Sequence, residues 1–364
     1  MSSRRTAIVF SGGIGLGAYQ AGAYAALHEH ETLRPDWLAG SSVGAVNAAV
    51  IAGSAPEERV DRLRELWSTA DAWQELAPSQ ALAPGFDSWR HVRNWASVMR
   101  TRILGSPGHF QPRLLMQPFE RFRSLYDLAP LRARIEKLVD FGRLNSREIR
   151  FAVVATDIET GDPVQFDTAK GDRITTDHLL ASCGYLPEFA PVEIDGRMLG
   201  DGGLSANAPI EAVMLERDRD DCERVCFVLD LFARDGARPA GLEAALARKN
   251  DLIFGNQTYL RLEALRRESE IAAALSHARE RLPADAKHDF QTTPARPRVR
   301  AVLYLSYRAP PEEAGPEKTF DLSRATVTDR WHAGELDMAE AVRRLGQMPG
   351  ESAGMSLLPI RRPA

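Results

Sequence analysis

The chain has 364 residues, 44% of them hydrophobic, which is enough to bury the core of an ordinary globular protein. A formal net charge of −4 excludes a broad basic field for nucleic acid. Three cysteines in so long a chain do not indicate a disulfide framework and favour a reducing compartment. We find neither a signal-peptide core nor an apolar run of roughly 20 residues, so we expect a cytoplasmic protein whose membrane contact, if any, is peripheral.

Two strand–turn–helix units open the chain. Residues 7–10 are a short apolar run that ends at a glycine-rich turn, and an Ala-rich helical segment follows over 18–28. In the second unit, residues 36–39 lead into a Gly/Ser turn at 40–44, and a small-residue helix follows over 45–52. Two such units in tandem predict a parallel sheet.

Residues 76–127 are less regular, because prolines are set among tryptophans and arginines. We interpret this segment as a cap or insertion over the sheet. Either it controls access to a site beneath it and contacts lipid, or its tryptophans simply pack it on the core. The apolar candidates for that contact are Trp73, Phe86, Trp89, Trp95, Phe110 and Leu115, and the basic ones are Arg90, Arg93, Arg100, Arg102 and Arg113.

The remaining pattern continues the alternation of strands and helices. Helices are predicted over 57–69, 131–139, 176–182 and 330–345, and strands over 149–155, 164–166, 225–231 and 299–307. Residues 196–203 are expected to form a short strand that runs into a glycine-rich loop. The charged amphipathic region 241–281 is expected to be interrupted at Gly255. We divide the chain into a first domain, 1–235, and a C-terminal helical and strand extension, 236–364, packed on it.

Residues 40–44 match G-x-S-x-G, the nucleophile elbow, in which small flanking residues let the chain turn sharply from strand to helix. The turn presents Ser42 at the N-terminus of a helix, where free N–H groups and the helix dipole favour an oxyanion. The pattern alone is common, but the strand before it and the small-residue helix after it are the required context. Ser42 is therefore the candidate nucleophile.

A second glycine-rich loop, residues 11–17, closes the first predicted strand. Its glycines allow backbone N–H groups to converge, as in a phosphate cradle or an oxyanion hole. Residues 13–18 also fit the dinucleotide fingerprint G-x-G-x-x-A, which requires an acidic residue at the end of the second strand. Here that strand leads into the Ser42 elbow and Asp36 precedes it, so we favour the oxyanion interpretation.

The third motif is Asp201-Gly202-Gly203. An isolated Asp-Gly-Gly is usually only a turn. Together with the other two motifs it indicates a carboxylate in hydrogen-bond reach of Ser42, able to accept the hydroxyl proton. With a reference pKa of about 3.9, such a carboxylate would remain a base down to mildly acidic pH.

The three motifs, in this order, resemble those of the patatin-like phospholipase family over about residues 6–232. Residues 18–22, 47–49 and 155–161 look like those of bacterial members, and the strand near 300 with residues 320–324 resembles the extra C-terminal region of one bacterial subgroup. The resemblance implies a three-layer α/β/α fold with a mostly parallel central sheet. It also implies hydrolysis of acyl esters of lipids by a Ser-Asp dyad, with no metal or organic cofactor.

The resemblance assigns a role to each motif residue of this chain. The catalytic residues are Ser42 and Asp201, the oxyanion hole comprises Gly12, Gly13, Ile14 and Gly15, and the motif glycines are Gly17, Gly40, Gly44, Gly202 and Gly203. Three positions depart from the family pattern: Ile14 stands where a third glycine is usual, Gly15 stands where a small residue is common, and Leu16 replaces a frequent Arg or Lys. Because a β-branched residue resists positive φ, Ile14 is expected to reshape the loop.

Several alternatives stay open at this point. A Ser-Asp-His triad could use His277, His288 or His332, although the early elbow argues against it. A non-catalytic lipid- or protein-binding module of the same fold, or an acyltransferase, would share the motifs. The sequence does not determine the head group, the acyl chain or the oligomeric state.

Overall fold

The computed structural model describes residues 5–68, 87–113, 124–215, 224–239, 241–281, 299–310, 313, 318–348 and 355–361, without the side chains of 87–93 and 243. Within these residues a sheet of nine strands, most of them parallel, lies between two layers of helices. This arrangement confirms the predicted three-layer α/β/α fold.

Strands and helices alternate along much of the described chain. The strands are β1 (Arg5–Phe10), β2 (Trp37–Ser41), β3 (Gln111–Pro112), β4 (Tyr126–Asp127), β5 (Arg150–Asp157), β6 (Pro163–Asp167), β7 (Val192–Ile194), β8 (Arg197–Asp201), β9 (Arg224–Asp230), β10 (Val299–Ser306) and β11 (Ser356–Ile360). The helices are α1 (Gly17–His28), α2 (Val43–Ala52), α3 (Arg59–Trp67), α4 (Asp87–Leu104), α5 (Ala129–Leu138), α6 (Phe141–Leu144), α7 (Thr176–Ser182), α8 (Glu211–Met214), α9 (Leu242–Glu280) and α10 (Arg324–Gly346).

The main sheet has the order β11-β10-β9-β1-β2-β5-β8-β7, with β6 paired to β5, and β3 pairs with β4 separately. The six strands from β11 to β5 run parallel to one another, whereas β6, β7 and β8 pair antiparallel. The carboxyl ends of the parallel strands therefore meet at one edge, where ligands of α/β sheets usually bind.

The core lies on both faces of the sheet. On β1, Ile8 and Phe10 belong to the cluster built with α1, α2 and α3, whereas Ala7 and Val9 belong to the cluster that includes residues of α8 and α9. Successive side chains of a strand point to opposite faces, so this alternation supplies both layers from one apolar strand.

Strand β5 brings the two candidate catalytic residues together. Ser41, the last residue of β2, is opposite Val154, and Asp201, the last residue of β8, is opposite the next residue, Ala155. Since β6 occupies the other edge of β5, strands β2 and β8 lie end to end along the same edge. The ends of the two strands consequently place Ser42 next to Asp201.

The C-terminal region continues the same sheet. Strand β10 pairs with β9 and β11 pairs with β10, both in parallel. Helix α10 packs on α1 with almost no gap: a methyl group at Gly334 would lie 2.0 Å from the Tyr19 carbonyl oxygen. The predicted boundary at 235 thus falls just after β9, in the middle of a continuous sheet.

Several elements differ from the sequence prediction. The irregular segment contains an 18-residue helix, α4, and the short strands β7 and β11 were not predicted. The expected interruption at Gly255 is wrong, because α9 runs through it without a break. Gly255 has a packing role instead, since a methyl group there would lie 2.6 Å from the Phe232 carbonyl oxygen of the loop after β9.

Candidate active site

Ser42 lies at a sharp turn between β2 and α2. Its backbone has φ 54° and ψ −132°, in a region that residues other than glycine rarely adopt. The flanking glycines are required by close packing: a methyl group at Gly44 would lie 2.4 Å from the Phe10 carbonyl oxygen, and one at Gly40 would lie 2.6 Å from the Ala45 backbone. The geometry is that of the predicted elbow.

The Ser42 hydroxyl donates a hydrogen bond of 2.6 Å from Oγ to Oδ2 of Asp201. The other carboxylate oxygen, Oδ1, accepts from the Gly203 N–H at 2.7 Å. A methyl group at Gly202 would lie 2.2 Å from the Ser41 hydroxyl, so the two glycines after Asp201 allow the loop to approach the elbow. The acceptor on the hydroxyl is thus a carboxylate in direct contact.

Asp201 is almost completely buried, with 4% of its surface exposed. Burial raises its pKa from 3.8 to about 7, while the hydrogen bonds from Ser42 and Gly203 act in the opposite direction. The expectation of an ordinary carboxylate that remains ionised in mild acid is therefore wrong. The sequence places an Asp at this point but does not show that water is excluded from it.

A residue that sequence reasoning missed, Ser182 at the end of α7, holds the elbow in place. Its hydroxyl accepts from the Ser42 backbone N–H at 2.8 Å and donates to the Val154 carbonyl at 2.5 Å. The strained turn is therefore anchored to β5 through one side chain. No motif spacing in the sequence singles out this serine.

The glycine-rich loop, residues 11–17, lies beside Ser42. The Gly12 N–H donates to the Asn207 carbonyl at 3.0 Å and so is not free to meet a ligand. A side chain at Gly12 would lie 3.0 Å from Ser42 Cβ, which explains why glycine is needed there. Gly12, Gly13 and Ile14 all line the cavity, and no acceptor among the described residues binds the N–H groups of Gly13 and Ile14.

Ile14 adopts φ 47°, in the left-handed region. The β-branched side chain therefore does not keep the backbone out of this conformation, and its strain costs of order 1–3 kcal/mol. A short turn follows, in which Leu16 N–H donates to the Gly13 carbonyl at 3.0 Å and Gly17 N–H to the Ile14 carbonyl. At Gly15, a methyl group would lie 2.8 Å from the Thr319 carbonyl oxygen.

Behind the loop, a buried polar network joins α1, α2 and α3. The amide of Asn47 donates to the Gly17 carbonyl at 2.9 Å and to the Gln20 side chain at 3.0 Å, and it accepts from the Trp67 indole at 3.0 Å. Gln20 in turn donates to the Ser11 and Leu229 carbonyls. The motif residues 18–22 and 47–49 therefore support the loop from the core.

The cavity in front of Ser42 has a volume of about 270 Å³. Most of its wall is apolar, with Val43, Val46, Leu66, Trp67, Phe110, Leu128, Leu131, Phe189, Phe232, Phe254 and Phe320. Ser42, Asp201 and the loop residues Gly12, Gly13 and Ile14 form one part of the wall. The site can therefore accept an apolar group next to the hydroxyl.

Two other ionisable groups of the cavity wall, His109 and Cys183, are less suited than the Ser42–Asp201 dyad to act as base or nucleophile. Burial lowers the pKa of His109 to about 3, so its imidazole is neutral and weakly basic. Burial, with a smaller contribution from Asp201, raises the pKa of the Cys183 thiol, which stays protonated. Of the histidines considered for a triad, His277 and His332 are exposed on helices beside glutamates, and His288 lies outside the described residues.

Much of segment 76–127 lies outside the described residues, including Phe86 and Leu115 and the side chains of Trp89, Arg90 and Arg93, and so does Trp73 just before it. The described part contributes Arg102 and Phe110 to the cavity wall, and the Arg102 guanidinium lies 4.3 Å from the centre of the Phe320 ring. Trp95 is 59% exposed on α4. The role of the segment in access and lipid contact stays a prediction.

Membrane-spanning helices and metal sites are both absent from the described part of the chain. None of its helices is long and apolar enough to cross a membrane. Nor does it bring three His, Cys, Asp or Glu side chains together as a metal site.

Solved structures of low sequence identity are distantly similar to the chain. VipD from Legionella pneumophila is 13% identical, with a TM-score of 0.34 over 90% of this chain and 67% of that one. A chain of the ExoU–SpcU complex of the type III secretion system of Pseudomonas aeruginosa is 15% identical, with a TM-score of 0.31. That match covers 72% of the present chain and 52%, about half, of the ExoU–SpcU chain. No curated protein matches the chain.

A protein family matches the part of the chain that holds the site. The model of the patatin-like phospholipases matches residues 8–214, which include the elbow, the glycine-rich loop and the Asp201 motif. The match extends over more than half of the 364 residues. The chain belongs to the patatin-like phospholipase family.

Proposed function

We propose that this protein is a serine acyl hydrolase that cleaves acyl esters of lipids, with Ser42 as the nucleophile and Asp201 as the base. The observation that carries the proposal is the 2.6 Å hydrogen bond between the Ser42 hydroxyl and the buried Asp201 carboxylate, in front of an apolar cavity. A nucleophile in direct contact with a base is the arrangement that acyl transfer requires.

The reaction proceeds in two steps. Asp201 accepts the Ser42 proton as Oγ bonds to the ester carbonyl carbon, and the protonated Asp201 then delivers that proton to the departing alcohol as the ester C–O bond breaks. In the second step Asp201 takes a proton from water, the hydroxide oxygen bonds to the acyl carbon, and Ser42 leaves with the proton returned. A pKa of about 7 suits this double role, because a group that titrates near the working pH both accepts and releases protons readily.

The oxyanion of each tetrahedral intermediate requires N–H donors. The groups that support this role best are those of Gly13 and Ile14, since the Gly12 N–H is bonded to Asn207. Each such donor is typically worth about 2.7–4 kcal/mol in the transition state. The helix dipole of α2, which begins directly after Ser42, favours the same negative charge.

A lipid substrate is supported by the apolar wall and by the residues next to it in the chain. Ile103, Leu186, Leu204 and Ile253 each directly adjoin a residue of the cavity wall, and all are exposed, by 36% to 64%. They come from four different parts of the fold: α4, the loop after α7, the Asp201 loop and α9. Exposed apolar residues next in the chain to a cavity wall are suited to contact with an aggregated lipid.

The nucleophile is tested with a fluorophosphonate probe and a short soluble ester. Wild type and Ser41→Ala should be labelled and should hydrolyse the ester, whereas Ser42→Ala should do neither. Ser41 is a matched control, because it is the adjacent serine and its buried hydroxyl has no hydrogen-bond partner among the described residues. Labelling that persists in Ser42→Ala would refute the assignment, and labelling with acyl transfer to an added alcohol in excess of hydrolysis would indicate an acyltransferase.

The lipid substrate is tested with phospholipid vesicles. Ile103→Ala combined with Leu186→Ala should lower hydrolysis of long-chain phospholipid about three- to tenfold and leave the soluble ester unaffected. Leu275→Ala is the control: it is similarly exposed, but lies 21 residues beyond Phe254 on α9, about 30 Å along the helix. Equal losses on both substrates would show that the two residues pack the site and do not contact lipid.

A further inference from the structure

Arg330, on α10, is completely buried although it carries a charge. Its guanidinium donates to three backbone carbonyls, those of Gly15 at 2.9 Å, Asp321 at 2.7 Å and Lys318 at 2.8 Å. A fourth bond, of 3.1 Å, joins it to the Glu313 carboxylate, whose side chain is also fully buried. One side chain of the C-terminal region therefore reaches the glycine-rich loop.

The backbone partners of Arg330 belong to two segments that each contribute residues to the cavity wall. Gly15 follows Ile14 in the glycine-rich loop, while Lys318 and Asp321 flank Thr319 and Phe320, and Ile14, Thr319 and Phe320 all line the cavity. The two parts touch, since a methyl group at Gly15 would lie 2.8 Å from Leu322. A planar guanidinium with several donors in fixed directions can hold both at once, which an ammonium group cannot.

The loop needs such a restraint. Ile14 has φ 47°, and a residue other than glycine keeps that conformation only where its surroundings impose it. Within the loop, the Gly13 and Ile14 carbonyls accept from Leu16 and Gly17. The next carbonyl, that of Gly15, accepts from Arg330, which comes from outside the loop.

We propose that Arg330 is a positioning residue for the reaction. It holds the Gly15 carbonyl so that Ile14 stays at positive φ and the N–H groups of Gly13 and Ile14 remain available to the oxyanion. It contacts neither the substrate nor Ser42. This role rests on the proposed acyl hydrolase function, and it makes the C-terminal region, which lies outside the family match over 8–214, part of the working site.

The first experiment compares Arg330→Lys with Arg59→Lys. Arg59 is a matched control, because it is 4% exposed, donates to the Ser54 carbonyl and pairs with Glu148, away from the cavity wall. In Arg330→Lys, kcat on the soluble ester per folded molecule should fall 10- to 100-fold while KM changes less than twofold, and in Arg59→Lys both should stay within twofold. A wild-type kcat in folded Arg330→Lys would overturn the proposal.

A second substitution keeps the proposal testable if Arg330→Lys does not fold. Leu322→Ala removes the side chain that packs on Gly15 but leaves the guanidinium in place, and it should lower kcat at least threefold. If Leu322→Ala has the kcat of wild type, the packing of the loop on residues 318–322 does not control the donors and the proposal fails.

A double-mutant cycle separates positioning from general stability. Glycine adopts positive φ without strain, so Arg330→Lys should cost at least threefold less in kcat in an Ile14→Gly background than in wild type. Equal losses in both backgrounds would mean that Arg330 only stabilises the fold.

Amide hydrogen exchange of residues 11–17 tests the restraint without reference to activity. The exchange rate is expected to rise at least tenfold in Arg330→Lys. An inactive, unlabelled wild type would refute the acyl hydrolase function, whereas unchanged exchange would refute the restraint.

Discussion

Two strained turns form the site, and they are restrained in different ways. Ser42, at φ 54°, is held by contacts close to the family motifs: the glycines on either side of it, the Asp201 loop, and Ser182. Ile14, at φ 47°, lies in a loop whose Gly15 carbonyl is bound by Arg330, more than 300 residues further along the chain. The elbow is thus restrained within the part of the chain that the family model matches, and the loop partly from outside it.

The largest expected effect concerns the base. Asp201→Asn should lower kcat by a factor on the order of 10⁴, because the amide cannot accept the Ser42 proton. His109→Ala should cost less than tenfold, since the His109 imidazole is neutral and its pKa is low. Activity of both variants on a soluble ester is the measurement. A folded His109→Ala as inactive as Asp201→Asn would replace the dyad by a mechanism that uses histidine.

Asp201→Asn is also expected to change the pH dependence of stability. Burial raises the pKa of Asp201 from 3.8 to about 7, so the folded state binds its proton more tightly than the unfolded state. The stability that this provides is complete below about pH 4 and is lost as the pH rises through 7. Asp201→Asn, which stays neutral, should therefore melt a few °C above wild type at pH 8 and at an equal or lower temperature at pH 4.

The next effect is the pH dependence of wild-type activity. Only the carboxylate form of Asp201 accepts the Ser42 proton, so kcat/KM should rise tenfold per pH unit in acid and level off above about pH 7. At pH 5 about 1% of the maximal value should remain, from a pKa of 7. A profile that levels off near pH 4 would show that the carboxyl is hydrated in the working enzyme and that burial does not control it.

Loss of the side chain that holds the Ser42 elbow should have a smaller effect on kcat. Ser182→Ala removes the hydroxyl that binds the Ser42 N–H and should lower kcat about tenfold by loosening the turn. Ser54→Ala is its control, since Ser54 is also buried and its hydroxyl also donates to a backbone carbonyl, that of Val50 at 2.7 Å. If both variants lose the same stability and neither loses kcat, the bond from Ser182 serves the fold alone.

Sequence patterns predicted the part of the site that depends on local geometry. The elbow and the Asp201 motif were recognised because glycines at fixed spacing are needed where no side chain fits, as at Gly44 and Gly202, where a methyl group would lie 2.4 Å and 2.2 Å from its nearest neighbour. Ser182 and Arg330 were missed, since each forms hydrogen bonds to residues that are distant in sequence, Ser42 and Gly15 among them, and neither belongs to a repeating pattern. The raised pKa of Asp201 was missed for a related reason: burial is a property of the assembled fold.

The same distinction, between local sequence patterns and contacts made only in the assembled protein, applies to the fold. The strands of the first two βα units were predicted because each is a short apolar run that leads into a glycine-containing turn. Helix α9 was expected to break at Gly255, since an isolated glycine lowers helix propensity by about 1 kcal/mol relative to Ala. Tertiary packing outweighs this cost, because the helix can pass the loop after β9 only where it has no side chain.

The smallest effect concerns Ile14 itself and addresses the comparison of the two turns directly. A non-glycine residue in the left-handed region costs of order 1–3 kcal/mol, and glycine removes that strain at some cost in backbone entropy. The Ile14 side chain is half-buried, however, and packs at the edge of the main apolar cluster, so its removal offsets part of the gain. We therefore expect Ile14→Gly to change the free energy of unfolding by no more than about 1 kcal/mol, in either direction, with Ser42 still labelled and kcat equal to or above that of wild type. Chemical denaturation and the fluorophosphonate probe measure the two quantities on one preparation. A large loss of kcat at unchanged stability would show that the Ile14 side chain packs the loop into its working shape, and the loop would then resemble the elbow in being restrained from within.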